Sequence, residues 1–90
     1  MDMLPNMSRA EHAYNNRNGI ATNPGLYDDG DLVVIEEEKY RYRISEWRYP
    51  DGSFLRDHMD AKSWKARSYT INLREFFNAD GTLIGETDRV

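Results

Sequence analysis

The sequence predicts a mainly β protein: a small antiparallel sheet of four to five strands, with two Asp-Gly hairpins and a short N-terminal helix. An α+β arrangement is the alternative. Three observations lead to this fold class. β-branched and aromatic residues alternate with polar ones over much of the chain after residue 30. Two short segments have the residues of tight hairpin turns, and one N-terminal segment has those that start a helix.

Length and composition predict one small domain with a thin core. The chain has 90 residues, of which 39% are hydrophobic, 31% charged and 12% aromatic. We expect residues 1–30 to form an arm with a short helix and a loop, and residues 31–90 to form the β domain. Aromatic side chains then supply much of the core area. A thin core also suits a homodimer that completes its core across an interface, which we keep as a further hypothesis.

A capping box predicts the helix. Ser8 can accept a hydrogen bond from the backbone of Glu11, and the Glu11 side chain can reach back to Ser8. The apolar face of this helix consists of Ala10, Ala13 and Tyr14. The asparagines and the glycine among residues 15–19 are expected to end it, and residues 19–30 have the composition of a loop.

The segment 31–47 is β-rich but leaves two arrangements open. The apolar residues 32–35 are typical of a strand. Three glutamates follow, and no Gly, Pro or Asn marks a turn among them. The segment is therefore either one long bent strand or a pair of strands hinged at the glutamates. A helix over residues 31–42 is disfavoured by the β-branched residues and tyrosines.

The segment Tyr49–Ser53 is the first predicted hairpin turn. Pro50 fixes φ at the second turn position and Gly52 can adopt the positive φ that the end of the turn needs. Pairing Tyr49 with Ser53 places Trp47 opposite Leu55 and Arg48 opposite Phe54. A bulge near Ser45 and Glu46 is predicted to return Trp47 to the face of Tyr42 and Ile44.

The second half of the chain has one weak and two strong signals. Residues 57–65 are predicted as one helical turn or a loop, and residues 67–77 as a strand. The segment 78–81 repeats the turn chemistry and ends on Gly81. Pairing across this turn places Phe77 opposite Leu83, Phe76 opposite Ile84 and Arg74 opposite Glu86. The predicted core consists of Tyr42, Ile44, Trp47, Ile71, Leu73 and Phe77.

The net charge of −4 hides an asymmetry that suggests a function. Residues 1–38 carry eight acidic side chains against two basic ones, whereas residues 39–76 carry nine basic against five acidic. An acidic segment can attract a basic partner protein. The candidate protein-binding residues are Asp28, Asp29, Asp31, Glu36, Glu37 and Glu38. The competing interpretations are that neighbouring strands neutralise one another and that the acidic stretch is a soluble edge strand protected by its charge.

We therefore expect a non-enzymatic protein-binding module. Small acidic domains without cysteine are frequent among the inhibitors of host enzymes that phages and mobile elements encode in anti-defence roles, which is an analogy of size class. The alternative is RNA or single-stranded DNA binding through a basic and aromatic sheet face. Its candidate residues are Arg41, Arg43, Arg48, Lys62, Lys65 and Arg67. Nucleic acid is the less expected partner, because Tyr and Arg alternate between faces and the chain is acidic.

Other functional classes have little support in the sequence. The absence of Cys excludes disulfides and Cys-based zinc sites. His58 with Asp57 and Asp60 could form a metal site or a general base, but a solvated loop is the favoured interpretation. No nucleophile elbow or phosphate-binding loop occurs, so we expect no catalysis, no metal and no cofactor. No run of about 18–20 apolar residues is present and a signal peptide is not evident, so we expect a cytoplasmic location and no membrane contact.

Overall fold

A computed structural model describes residues 7–15, 30–61 and 69–88. This part of the chain forms one helix and a five-stranded antiparallel sheet in the order β1-β2-β3-β4-β5. The elements are α1 (Arg9–Asn15), β1 (Asp31–Glu38), β2 (Tyr42–Arg48), β3 (Phe54–Ala61), β4 (Tyr69–Phe77) and β5 (Leu83–Asp88). The predicted mainly β class, with four to five strands and a short helix, is confirmed.

The segment 31–47 forms two strands, which settles the alternative that the sequence left open. β1 and β2 are joined by a tight turn in which the Arg41 amide donates to the Glu38 carbonyl at 2.9 Å. Tyr40 takes the left-handed position of this turn, with φ of 69°. A tyrosine there gives no turn signal, because Gly and Asn are the residues that usually adopt positive φ.

Both Asp-Gly turns form as predicted. Gly52 has φ of 92° and Gly81 has φ of 88°, and each donates its amide to the carbonyl three residues earlier, at 3.0 Å and 2.9 Å respectively. Beyond the first turn the predicted register is confirmed, with Trp47 opposite Leu55 and Arg48 opposite Phe54.

Register shifts away from the turns correct the remaining predictions. β2 pairs with β3 without a shift, so the predicted bulge in β2 is wrong. The bulge lies instead in the outer strand β1, between Val34 and Glu36. A second shift, between Phe76 and Phe77, places Phe76 opposite Gly85 and not Ile84. The same shift places Arg74 opposite Thr87 and not Glu86, while Phe77 still faces Leu83 as predicted.

The predicted loop after Asp57 is also wrong as far as Ala61, because β3 continues to that residue. Its polar side chains have partners on β4. Asp57, for example, lies opposite Arg74 and accepts from its Nε at 2.7 Å. This part of β3 is therefore stabilised by polar pairs with β4, and it lacks the alternation of apolar residues by which a strand is usually predicted from the sequence. Residues 62–68 lie outside the described ranges.

The core lies on one face of the sheet, beneath α1. Because opposite residues share a face, Trp47, Leu55, Phe76 and Gly85 form one row across β2 to β5. The buried core consists of Ala10, Ala13, Tyr49, Leu55 and Phe76, with Tyr14, Trp47 and Ile84 packed against it. Of the predicted core, only Trp47 belongs to this cluster. The unshifted pairing of β2 leaves Tyr42 and Ile44 on the other face. Phe77 also lies on that face, because it follows Phe76 directly in β4 and pairs with Phe54.

Gly85 allows α1 to approach the sheet closely. A Cβ at this position would lie 2.5 Å from the ring of Tyr14. The Tyr14 ring meets Phe76 edge-on, with centroids 5.2 Å apart and an interplanar angle of 66°. The missing side chain of Gly85 thus makes room for an aromatic pair that joins the helix to the sheet.

The start of α1 is held by the two hairpin turns. The amides of Arg9 and Ala10 donate to Asp51 Oδ2 at 2.8 Å and to Ser53 Oγ at 3.0 Å. Ser8 donates from Oγ to Asn78 Oδ1 at 2.6 Å and accepts from the Glu11 amide at 3.1 Å, as the capping box predicts. A helix of seven residues is marginal alone, so these bonds from distant turns satisfy the helix amides and fix its position.

Replacing Phe76 tests the assignment of the core. We expect Phe76→Ala to lower the free energy of unfolding by about 3–5 kcal/mol, because a fully buried ring is removed. The neighbouring Phe77→Ala is the matched control and should cost less, because Phe77 is only half-buried on the opposite face. Urea unfolding measures both values. Equal costs would contradict the placement of the core beneath α1.

Replacing Asp51 tests the anchoring of the helix. Burial raises the pKa of Asp51, but hydrogen bonds from Ser53 and from the Arg9 amide outweigh that effect and lower it. A lowered pKa stabilises the fold above the ordinary pKa, and the gain is lost as pH falls through the folded value. Asp51→Asn should therefore lower the free energy of unfolding at pH 7, by no more than about 1 kcal/mol because the side chain is exposed to solvent, and the cost should shrink below about pH 4.

Asp80→Asn is the matched control for Asp51→Asn. Asp80 accepts from the Thr82 amide at 2.9 Å within the second turn, just as Asp51 accepts from Ser53 in the first. Its described hydrogen bond is to Thr82 and not to α1, so we expect a smaller loss and no change in helical circular dichroism. The same loss from both variants, measured by urea unfolding, would show that the turn alone accounts for the effect.

Candidate interaction surface

Both predicted candidate sites fall on the β1–β2 hairpin as far as the structure describes them. Of the acidic set, Asp31 begins β1 and Glu36, Glu37 and Glu38 end it, while Asp28 and Asp29 lie outside the described ranges. Of the basic set, Arg41, Arg43 and Arg48 lie in the turn or on β2, while Lys62, Lys65 and Arg67 lie outside the described ranges.

The two sets are largely each other's partners. Glu37 lies opposite Arg43 in the register, and the guanidinium Nη2 is 2.6 Å from Glu37 Oε2. Glu38 and Arg41 pair across the turn at 3.1 Å. Glu36 accepts a hydrogen bond from the Tyr42 hydroxyl. Neighbouring segments therefore neutralise one another here, as one of the competing interpretations of the charge pattern predicts.

Glu37 is the centre of a cluster that reaches across the sheet. Arg43 donates from Nε at 3.0 Å and from Nη2 at 2.6 Å to Glu37 Oε2, and the Tyr69 hydroxyl donates to the same oxygen at 2.9 Å. The Arg43 guanidinium also lies over the Tyr69 ring, 4.4 Å from its centroid. The hydrogen bonds from Arg43 and then from Tyr69 lower the pKa of Glu37. The bond to Glu37 raises the pKa of Tyr69.

Arg48 belongs to a second cluster, on the face opposite α1. Arg48 and Arg56 both contact the buried Glu46, at 2.9 Å and 2.7 Å. Arg56 also lies over the Phe77 ring, 4.8 Å from its centroid, and Phe77 stacks on Phe54 at 4.8 Å. The aromatic rings of this face are thus in contact with an arginine whose charge is already paired.

The residues around His58 separate in space. His58 Nε2 lies 2.6 Å from Glu75 Oε1 on β4. Asp57 binds Arg74, and Asp60 accepts from Asn72. The three neighbours in sequence therefore contact three different residues of β4. Within the described ranges, no group of three or more His, Asp or Glu side chains is placed to hold a metal ion.

The most exposed apolar surface was not among the predicted sites. It lies on β1, at one edge of the sheet, where Leu32 is 60% exposed, Val34 47% and Ile35 46%. The sequence does contain an indication of this surface, namely the run of four apolar residues at positions 32–35. A strand with one covered face needs only every second residue to be apolar, so such a run has more apolar side chains than one covered face can bury. In this chain both faces of the run lie largely in solvent.

Comparison with protein-family models, with curated proteins and with solved structures gives no match to this chain. No helix in the described part of the chain is long and apolar enough to cross a membrane.

The Glu37 cluster predicts a change in one titration. Tyr69→Phe removes one of the hydrogen bonds that lower the pKa of Glu37, so we expect that pKa to rise towards its ordinary value. Carbon-detected NMR of the Glu37 carboxyl group measures the shift. Tyr42→Phe is the control, because it removes the bond to Glu36 and should leave the titration of Glu37 unchanged. An unaltered Glu37 midpoint in Tyr69→Phe would contradict the cluster.

Proposed function

We propose that this chain is a non-enzymatic protein-binding module whose contact surface is the outer side of the β1–β2 hairpin. The observation that carries the proposal is the exposure of Leu32, Val34 and Ile35 on an edge strand. Contiguous apolar surface is costly to leave in water and often marks a site of protein contact. Edge strands are otherwise commonly protected by charge, Pro or a covering element.

Charged residues surround this apolar surface on the hairpin. Asp31 precedes it along β1 and Glu36–Glu38 follow it, with Arg41 in the turn beyond. An apolar centre within a polar rim is the usual anatomy of a protein interface. The apolar residues are therefore expected to supply affinity, and the charged rim to supply orientation and selectivity.

Charge alone is not expected to drive binding. Between residues 31 and 48 there are five acidic and four basic side chains, so the field of the hairpin is nearly balanced. The pair Glu38–Arg41 is substantially exposed, and exposed pairs contribute little to stability. These two side chains can therefore exchange partners when another protein binds.

The nucleic-acid alternative has weaker support. Arg41, Arg43 and Arg48 each contact a glutamate within 3.1 Å, and each of these carboxylates would repel a phosphate bound by its arginine. For the finer proposal of an inhibitor that covers a host enzyme, the size class of the chain is the only support.

Site-specific photo-crosslinking tests the proposed surface. A photoreactive side chain replaces either Val34 on β1 or Leu83 on β5, two apolar positions of matched exposure, 47% and 48%, on opposite edges of the sheet. In cells that naturally express the chain, we expect a discrete crosslinked protein from position 34 and none from position 83.

A pair of charge variants completes the test. With the probe at Leu32, Val34→Lys should abolish the crosslink and Leu83→Lys should leave it unchanged. Circular dichroism checks that both variants fold. Equal crosslinking from both edges, or a crosslink from position 32 that survives Val34→Lys, would contradict a contact surface on β1.

A further inference from the structure

We infer that β1 binds its partner by strand addition: an extended segment of the partner, apolar at its centre and basic at both ends, pairs antiparallel with the outer edge of the sheet. This inference rests on the proposed function and specifies the chemistry of the partner.

The backbone of β1 provides the first part of the argument. Within the described ranges β1 pairs with β2 alone, so alternate amides and carbonyls along its eight residues point away from the sheet. Strand addition satisfies such groups with main-chain hydrogen bonds and uses side-chain positions for specificity. Natural edge strands are often kept short to prevent this pairing, and β1 is not short.

The opposite edge is a poorer acceptor. β5 has six residues, and its Gly85 lies under the ring of Tyr14. Its most exposed apolar residue is Leu83, at the start of the strand. On β1, by contrast, three exposed apolar residues lie within four consecutive positions, where a partner strand can contact all of them.

The charge pattern along β1 specifies the partner. Asp31 lies before the apolar residues and Glu36, Glu37 and Glu38 lie after them. Opposite charges on directly facing residues stabilise a strand pair, and like charges destabilise it. A partner strand with Lys or Arg at both ends and β-branched residues between them therefore matches β1 along its length.

The bulge sets the extent of pairing. The register shift between Val34 and Glu36 interrupts the regular pleat of β1. Regular pairing is thus expected over Asp31–Val34. Beyond the bulge, the long side chains of Lys or Arg can reach the glutamates without a matching ladder. Glu38, exposed and paired across a tight turn with the exposed Arg41, is the most readily shared carboxylate.

The same pattern disfavours a second copy of this chain as the added strand. Antiparallel self-pairing centred between Val33 and Val34 brings Asp31 of one copy towards Glu36 of the other, which lies just beyond the bulge. Each such contact brings two carboxylates together, and like charges repel. Self-association through β1 is therefore an outcome that would contradict the inference.

An NMR titration of the full chain with designed peptides tests the inference. The probe peptide has two Val-Thr repeats flanked on each side by two lysines, and the matched control has glutamates in place of the lysines. We expect the lysine peptide to shift and protect from exchange the amides of β1, with those of β5 unchanged. The glutamate peptide should bind at least about tenfold more weakly.

Two further variants separate backbone pairing from simple charge attraction. A lysine peptide with Pro in place of the central Thr keeps the charge but loses a main-chain donor, so it should bind at least about tenfold more weakly. On the protein, Gln at positions 36, 37 and 38 should weaken binding of the lysine peptide and reduce its salt dependence. Equal binding of the Pro peptide would overturn strand addition.

The outcomes distinguish this inference from the proposed function. If no lysine peptide binds β1 up to roughly 1 mM while the Val34 crosslink persists, strand addition is wrong and the contact surface stands. If the crosslink is absent, the proposed function itself fails. Concentration-dependent broadening of β1 resonances without peptide would identify a second copy as the occupant and overturn the inference.

Discussion

The hydrogen bonds between the first amides of α1 and the Asp51–Ser53 turn are the constraint on which the core depends. Leu55 and Phe76 are buried beneath a helix of only seven residues, and such a helix has little stability of its own. Because Asp51 and Ser53 accept from Arg9 and Ala10, the turn that pairs β2 with β3 also fixes the covering of the core. Sheet and helix are therefore stabilised together.

Away from the helix, paired charges take the place of a packed core. Asp57–Arg74, Glu46 with its two arginines, and Glu37 with Arg43 and Tyr69 join neighbouring strands on both faces. This arrangement explains why a chain with 31% charged residues forms a continuous sheet. It also explains why the acidic and the basic candidate sites coincide on one hairpin, since each strand supplies the opposite charge of its neighbour.

The sequence predicts those features of the fold that depend on residues close together in the chain. Both Asp-Gly turns, the register beside the first, and the capping box follow from residues within a few positions of one another. Which face of a strand is buried does not follow from nearby residues, because one register shift reverses the orientation of every later side chain in the strand. In β4 the core face is that of Phe76, which packs against Tyr14 of the distant helix, so the prediction that Phe77 belongs to the core is wrong. The turn at Tyr40 could not be predicted for a different reason. Tyrosine rarely adopts a positive φ, so its presence in the sequence does not indicate a turn. The exposed apolar residues of β1 are not among the predicted site residues, because an apolar run predicts a strand but does not show which of its faces is covered.

The order of the sheet has a consequence for how the chain folds. Every strand pairs with its neighbour in sequence, so the sheet can assemble from consecutive hairpins with short loop closures. Topologies of this kind have low contact order and fold fast for β proteins. The helix is the exception, because Ser8 must meet Asn78, seventy residues away. Because α1 contacts Phe76 and Asn78, its docking can be completed only after β4 and the turn that follows it have been synthesised. Until then the apolar row that begins with Trp47 and Leu55 lacks its full cover and is open to chaperones.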